Sequence, residues 1–323
     1  MFLVALARVS AQDVIYSQFY ANPLYLNPAL AGSKLCSRLT LNYRNQWPGM
    51  GKGYVSYSTT WDEQFDKLAG GVGVIVNSDV AGGGLYSRFS ASGIYSYRLQ
   101  ASRFIVLNAA VQAGYLKYSL NWDKMLFREW IDPVTGDRSP YSGPTSNMQL
   151  KQSMGNVDFN AGILAGYKES FYVGAVVSHL NKPDVSFYST EVNNLHMRLT
   201  AHAGALFNIN NGLDGALNLR DMSISPNIVY VQQGDFKQLN AGMALNLFPL
   251  EAGLWIRENF NNPDGVIVLL GYEQLNYKIG YSFDYTISRL RGKSASAHEI
   301  SIAILFNKSA RSSRLHPMGN PAY

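Results

Sequence analysis

Apolar residues recur at every second position over stretches of ten residues or more in this chain. Nowhere do they run unbroken for the roughly 18 residues that a membrane-spanning helix needs. Leu35, Leu39, Leu41, Tyr43 and Trp47 share one parity, against Arg38, Thr40, Asn42, Arg44 and Gln46. Val55, Tyr57 and Trp61 oppose Ser56, Ser58 and Thr60, and Leu85, Phe89, Tyr95, Tyr97 and Leu99 oppose Arg88, Ser90, Ser92 and Arg98. The pattern continues with Val157, Phe159, Ala161 and Ile163 against Asp158 and Asn160, and with Met197, Leu199, Ala201 and Phe207 against Arg198, Thr200 and His202. It closes with Tyr277, Ile279, Tyr281, Phe283 and Tyr285 against Lys278, Ser282 and Asp284, then with Ile300, Ile302, Ile304 and Phe306. A soluble sandwich also alternates, but its strands average about five to six residues. Segments of ten or more are long enough to cross a bilayer at a tilt.

Composition supports the membrane reading. Charged residues are 15% of the chain, against about 25% in a soluble domain. With 21 Tyr, 15 Phe and 5 Trp, many near segment ends, the aromatics suit interfacial girdles and exclude disorder. The expected fold is all-β: a transmembrane antiparallel barrel of about 14 strands in the outer membrane of a Gram-negative bacterium. Its apolar face meets lipid and its Arg/Asn/Ser face lines the lumen. Fifteen segments qualify, and the weakest, 213–219, is absorbed into a turn to give an even number. The turns then sort into a rim of short ones (100–103, 168–170, 248–249, 274–276) and a rim of mostly longer ones (119–155, 181–195, 259–264, 287–297). The short rim and both termini are expected in the periplasm. Residues 1–11 read as a short secretory leader cut between Ala11 and Gln12, 12–34 as a periplasmic N-terminal segment, 35–306 as the barrel and 307–323 as a periplasmic tail.

Chemistry is sparse. Gly292-Lys293-Ser294 lacks the Gly of a phosphate loop five residues earlier, where Ile287 stands. Gly71-Val72-Gly73 is an incomplete dinucleotide fingerprint, and Ser294 lacks a nucleophile elbow. His179, His196, His202, His298 and His316 show no metal spacing. His196 and His202 share the lumen parity of Arg198. A Ser/His pair assembled across strands stays open on sequence alone, but the expectation is a protein without catalytic, cofactor or metal sites. Scattered basic residues and a net charge of +5 give no nucleic-acid stripe. The lone Cys36 excludes an intrachain disulfide.

The sharpest motif is 17–32, SQFYANPLYLNPALAG, with two Asn-Pro pairs five residues apart. Proline fixes φ and biases its predecessor toward extended geometry, so the segment is rigid and kinked. It is too irregular to face lipid, and it is expected inside the barrel or against its periplasmic rim. It resembles the opening signature of the PorP/SprF family of type IX secretion system outer-membrane proteins of Bacteroidota. Residues 42–48 (NYRNQWP), 253–257 (GLWIR), 281–288 (YSFDYTIS) and 298–302 (HEISI) resemble later family motifs in order. The tail 307–323 and a long turn at 209–222 depart from the pattern.

The resemblance implies a non-enzymatic accessory barrel. It would bind and anchor, or help export, a secreted surface protein such as a gliding adhesin or a cargo with a type B C-terminal signal domain. Partners implied are that cargo, other type IX components and outer-membrane lipid. Phe19, Tyr20, Asn22, Pro23, Leu24, Tyr25, Leu26, Asn27, Pro28 and Gly32 would form the plug or partner-contact motif. Trp122, Trp130, Tyr141, Phe187 and Tyr188 would be outer-loop cargo contacts. The alternatives are a porin-like solute channel, or a structural subunit of the secretion and gliding complex contacting periplasmic ring components.

Overall fold

The computed structural model describes residues 13–34, 36–50, 53–125, 131, 135, 151–168, 170–188, 192–209, 222–260, 263–287 and 296–306. The leader, the segment 213–219, Trp130, Tyr141, the 292–294 motif and the tail 307–323 lie outside them.

Fifteen strands follow one another in chain order. They are β1 (Ser37–Gln46), β2 (Tyr54–Phe65), β3 (Gly70–Ala81), β4 (Tyr86–Gln100), β5 (Ile105–Leu120), β6 (Ser153–Tyr167), β7 (Phe171–Ser178), β8 (Arg198–Ala205), β9 (Phe207–Asn208), β10 (Met222–Gln233), β11 (Phe236–Leu247), β12 (Leu250–Glu258), β13 (Pro263–Gln274), β14 (Tyr277–Thr286) and β15 (Ala297–Phe306). The two-residue β9 continues β8 past Leu206, and both pair with β10, so they fill one position in the wall. The wall therefore has fourteen positions. It closes where β1 pairs antiparallel with β15, from Ser37 opposite Phe306 to Gln46 opposite Ala297. Closure removes every sheet edge, which lipid would not tolerate.

The period of two sorts the faces as the sequence predicts. Arg38, Thr40, Asn42 and Arg44 of β1 are buried in the lumen, as are Ser56, Ser58, Thr60 and Asp62 of β2. Val111, Ile163, Val173, Ile256 and Leu270 point outward and are exposed to what the bilayer supplies. His196 departs from the expected face. It is exposed and precedes β8, because the strand begins only at Arg198, and the parity carried back from His202 has no strand to act on.

Chain entry to β1 and exit from β15 share one rim, here the terminal rim; the other is the far rim. The terminal rim carries short turns at 66–69, 101–104, 168–170, 248–249 and 275–276, and one longer connection at 209–221. The far rim carries the long connections 121–152 and 179–197, and also short turns at 82–85 and 234–235.

If the outward face meets hydrocarbon, Val268→Arg at the middle of β13 costs about 2–4 kcal/mol of stability in a bilayer. The check is denaturant unfolding in liposomes read by loss of the heat-modifiable folded band on a gel. Wild-type midpoint in the variant would contradict the face assignment.

Candidate functional site: a filled lumen with a capped mouth

Residues 13–34 lie inside the barrel and cross it from end to end. Asp13 sits at the far rim, where its N–H donates to Gln233, the last residue of β10. Gly32 sits near the terminal rim, with its N–H on Asp62 of β2 at 2.8 Å. The chain thus descends through the lumen before β1 climbs back. Asp13 is not at the terminal rim, where both termini were expected. It is held at the far rim by charges that only the far ends of β4, β7 and β8 supply.

Three short helical turns, Phe19–Ala21, Pro23–Leu26 and Pro28–Leu30, build the segment. Each proline occupies the first position of a turn, where its missing N–H leaves nothing unpaired. Asn27 caps the third turn, its Oδ1 accepting from Ala29 N at 2.9 Å. Its Nδ2 reaches the wall, donating to Ile163 O at 3.0 Å and lying 2.9 Å from His202 Nε2. Asn22 donates from its side chain to the wall at Ser58 Oγ, 2.8 Å away, while its carbonyl accepts from Tyr25 N and Leu26 N.

These turns satisfy part of the backbone within the segment, and lumen side chains meet further groups. Glu299 of β15 accepts from Ser17 N at 2.8 Å and Gln18 N at 3.1 Å. Gln18 binds Ser282 and the Glu299 carbonyl through its Nε2, and accepts from Ser301 Oγ at 2.6 Å. The Ala29 carbonyl accepts from Asn108 at 2.8 Å and Ser96 at 3.2 Å. Arg44 joins Glu299 at 3.1 Å to Asp284 at 3.2 Å, and Arg257 also reaches Asp284, at 3.0 Å. Arg38 pairs with Asp62 at 2.9 Å with both side chains fully buried. The mixed signs of the lumen are thus paired charges that hold the segment.

Apolar packing fills the rest. Tyr20 stacks on Trp255 of β12 at 5.0 Å and 28°, and Phe19 meets the same ring edge-on at 6.2 Å. Trp255 donates to Asn227 Oδ1 at 2.7 Å. Leu24 and Ala31 pack on Ile75 and Ile94. Gly32 has φ +70°, and a Cβ there would stand 2.7 Å from the Gly71 Cα. A Cβ on Gly71 would strike the Ala31 carbonyl in turn, so the two glycines let backbone lie on backbone.

At the far rim Asp13 is the centre of a charge cluster. Its carboxylate lies 3.0 Å from Arg88, 3.3 Å from Arg198 and 2.7 Å from His179 Nε2. His179 Nδ1 lies 2.8 Å from Asp158. An imidazole with a carboxylate on each nitrogen must donate from both, and only the cation can. Burial works against that charge, but Asp13 and Asp158 overcome it and raise the His179 pKa to about 9. Burial likewise opposes the Asp13 charge, and Arg88, His179 and Arg198 more than reverse it, holding the carboxyl well below its usual range.

His179 also opens the loop that caps the mouth. Asp184 bridges to Asn194, and Val185 and Leu195 pack down on Leu116 and Tyr118, lumen-facing residues of β5. Phe187 leans on this cluster and meets Trp122 edge-on at 6.5 Å. Lys151 ties the pair together, its N–H on the Phe187 carbonyl and its carbonyl taking the Trp122 indole N–H. Of the five expected outer contacts the structure joins Trp122 and Phe187, and leaves Tyr188 40% exposed beside them. All ten residues of the expected plug motif are together in the lumen. Sequence reading missed Asp62 and Trp255 as partners of the motif, Glu299 as the acceptor of Ser17 and Gln18 just before it, and the Asp13–His179 pair at the far rim. For Asp62, Trp255 and Glu299 the available signal was a charged or large aromatic residue on the lumen parity; Asp13 and His179 lie outside the strands. Beside the segment, voids of about 40 Å³ and about 30 Å³ remain, each room for a few waters at roughly 10–15 Å³ apiece.

The model of the family described as type IX secretion system membrane protein PorP/SprF matches residues 8–304. The chain belongs to the PorP/SprF family. No curated protein matches it. Among solved structures it is similar to the outer membrane protein Omp33 of Acinetobacter baumannii, at 10% identity over 85% of this chain and 100% of that one, with a TM-score of 0.46. The P. putida toluene transporter TodX is 11% identical over 87% of this chain and 92% of its own, with a TM-score of 0.46. The KdgM porin is 10% identical over 83% and 99%, with a TM-score of 0.39. A PorP/SprF barrel of fourteen wall positions places this protein in the outer membrane. Its family is described as a membrane protein of a secretion system. Among the described residues no cluster of His, Cys, Asp and Glu could hold a metal.

Two predictions test the seating. Gly71→Val puts a branched side chain where the Ala31 backbone lies and costs about 1–3 kcal/mol by overpacking. Thermal melting in detergent checks it, with Gly93→Val, where a Cβ meets open space, as the neutral control. The second is pH-dependent. A His pKa raised to about 9 stabilises fully below the unfolded value of about 6.5 and is lost as pH rises through about 9. The depressed Asp13 stabilises above about pH 4 and loses its effect as pH falls through its folded value. Melting temperature therefore falls between pH 7 and 10, and His179→Gln flattens that limb.

Proposed function

We propose that this PorP/SprF barrel is a non-enzymatic accessory of type IX secretion that holds a secreted surface protein at the outer mouth. The observation that carries the reading is a lumen filled by its own N-terminal segment and capped by its own loop. A pore for solutes needs a water-filled path, and residues 13–34 occupy the lumen from the far rim to the terminal rim. What this arrangement offers instead is a rigid post in the outer membrane. The terminal rim, with most of the short turns, faces the periplasm; the far rim, with 121–152 and 179–197, faces outward.

On this reading the far-rim surface around Trp122, Phe187 and Tyr188, with Trp130 and Tyr141 of the same long loop, receives the cargo's C-terminal signal domain. Aromatic side chains supply large contact areas at low entropic cost, which suits an anchoring surface. Residues 13–34 act as the brace that keeps the wall and the cap in register. Residues 1–11 serve as leader, and 307–323 remain in the periplasm for contact with other secretion components.

Affinity purification of a tagged copy from its native outer membrane, followed by mass spectrometry, tests the anchor. The expected result is one large secreted protein held through its C-terminal domain, and lost when Phe187 and Tyr188 are both replaced by Ser. Recovery of periplasmic ring components alone would favour a structural subunit. In planar bilayers the wild-type barrel should stay closed; steady ion conductance would favour the channel.

A further inference from the structure

The outer wall carries a groove that the lumen and its mouth do not use. A cross-strand row of paired residues, Gly166–Tyr172–Gly204–Asn227–Gly242, runs through β6, β7, β8, β10 and β11. The row faces the lumen, so on the outside of the wall it shows backbone. The side chains of Tyr172 and Trp255 cover Gly204 and Gly242, so that a Cβ on either glycine would collide with those rings. Ala165, Ala203 and Ala241 flank the row, and Ile105, Val173, Ile228 and Met243 rise beside it. The result is an apolar concavity of about 830 Å³.

Length and direction suit one molecule. Five strands span four spacings of about 4.8 Å, or roughly 19 Å. Barrel strands tilt by about 35–45°, so a row perpendicular to them descends obliquely, through about one leaflet of a hydrocarbon core roughly 30 Å thick. The β6 end of the groove meets the terminal rim at Tyr167 and Phe171. There the exposed Lys168 holds its ammonium 5.3 Å from the Tyr167 ring and 5.2 Å from the Phe104 ring. The exposed Arg103 stands in the adjacent β4–β5 turn. Among the described residues Lys168 makes no salt bridge; Glu169, its neighbour in sequence, lies outside them. An apolar slot that ends at a cation in an aromatic girdle matches an acyl chain joined to a phosphate.

We infer that this groove is a phospholipid site. One acyl chain lies along the Gly204–Gly242 floor, and the headgroup phosphate pairs with the Lys168 ammonium. The choice of phospholipid over the lipid A of the outer leaflet rests on the proposed periplasmic position of the terminal rim.

Native mass spectrometry of the detergent-purified full chain, after delipidation and titration with phosphatidylglycerol or lipid A, tests it. The expected result is one phosphatidylglycerol retained per barrel. Ala203→Phe with Ala241→Phe, which fill the groove from its lipid side, should lower retention at least tenfold. Lys168→Glu should lower it severalfold. Val74→Phe, an outward substitution on the distant β3, should leave it unchanged. A melting curve equal to wild type shows that each variant is folded. Equal retention in all three variants overturns the groove and leaves the orientation standing. Groove-dependent retention of lipid A in place of phosphatidylglycerol overturns the phospholipid assignment and the orientation together.

Discussion

Everything in this molecule depends on how an irregular backbone is kept satisfied at membrane depth. Residues 13–34 form only three short turns, so their N–H and C=O groups satisfy one another only in part. Exposed to lipid, each unpaired group would cost several kcal/mol. The solution is to put the segment inside and to aim the wall's polar side chains at it. Glu299 takes two successive N–H groups of Ser17 and Gln18, Asp62 takes that of Gly32, and Asn108 with Ser96 takes the Ala29 carbonyl.

The same constraint explains why the lumen is charged. Buried carboxylates that accept from the segment need cations, and Arg38, Arg44 and Arg257 supply them from β1 and β12. Buried pairs of this kind add little net stability, because desolvation offsets their attraction, but breaking one is costly. They select one seating of the segment over its alternatives. The Asp13 cluster extends that selection to the far rim, since His179 touches the segment with its ring and begins the capping loop with its backbone.

Much of the fold was legible in the sequence, because a barrel wall writes one physical contrast, lipid against lumen, into alternate residues. The fourteen wall positions and the faces of Arg38 through Asp284 follow from that contrast, while for the Asn-Pro segment it leaves the interior and the periplasmic rim both open. The two-residue β9 is a continuation of β8 that carries no period of its own, and the 213–219 segment lies outside the described residues. The path of the segment was not legible either. Ser17 meets Glu299 across 282 residues, and Asp13 meets His179 across 166. No local pattern encodes such pairings. His196 shows the limit of parity, which holds only within a strand and fails two residues before one starts.

The central claim is that residues 13–34 are a permanent part of the barrel's interior. Amide hydrogen exchange of the full chain in detergent or nanodiscs, read by peptide mass spectrometry, tests it most directly. The account predicts that peptides covering 13–34 exchange as slowly as those of β1 and β15. Exchange of that segment at the rate of an exposed loop, with the strands still protected, would contradict it.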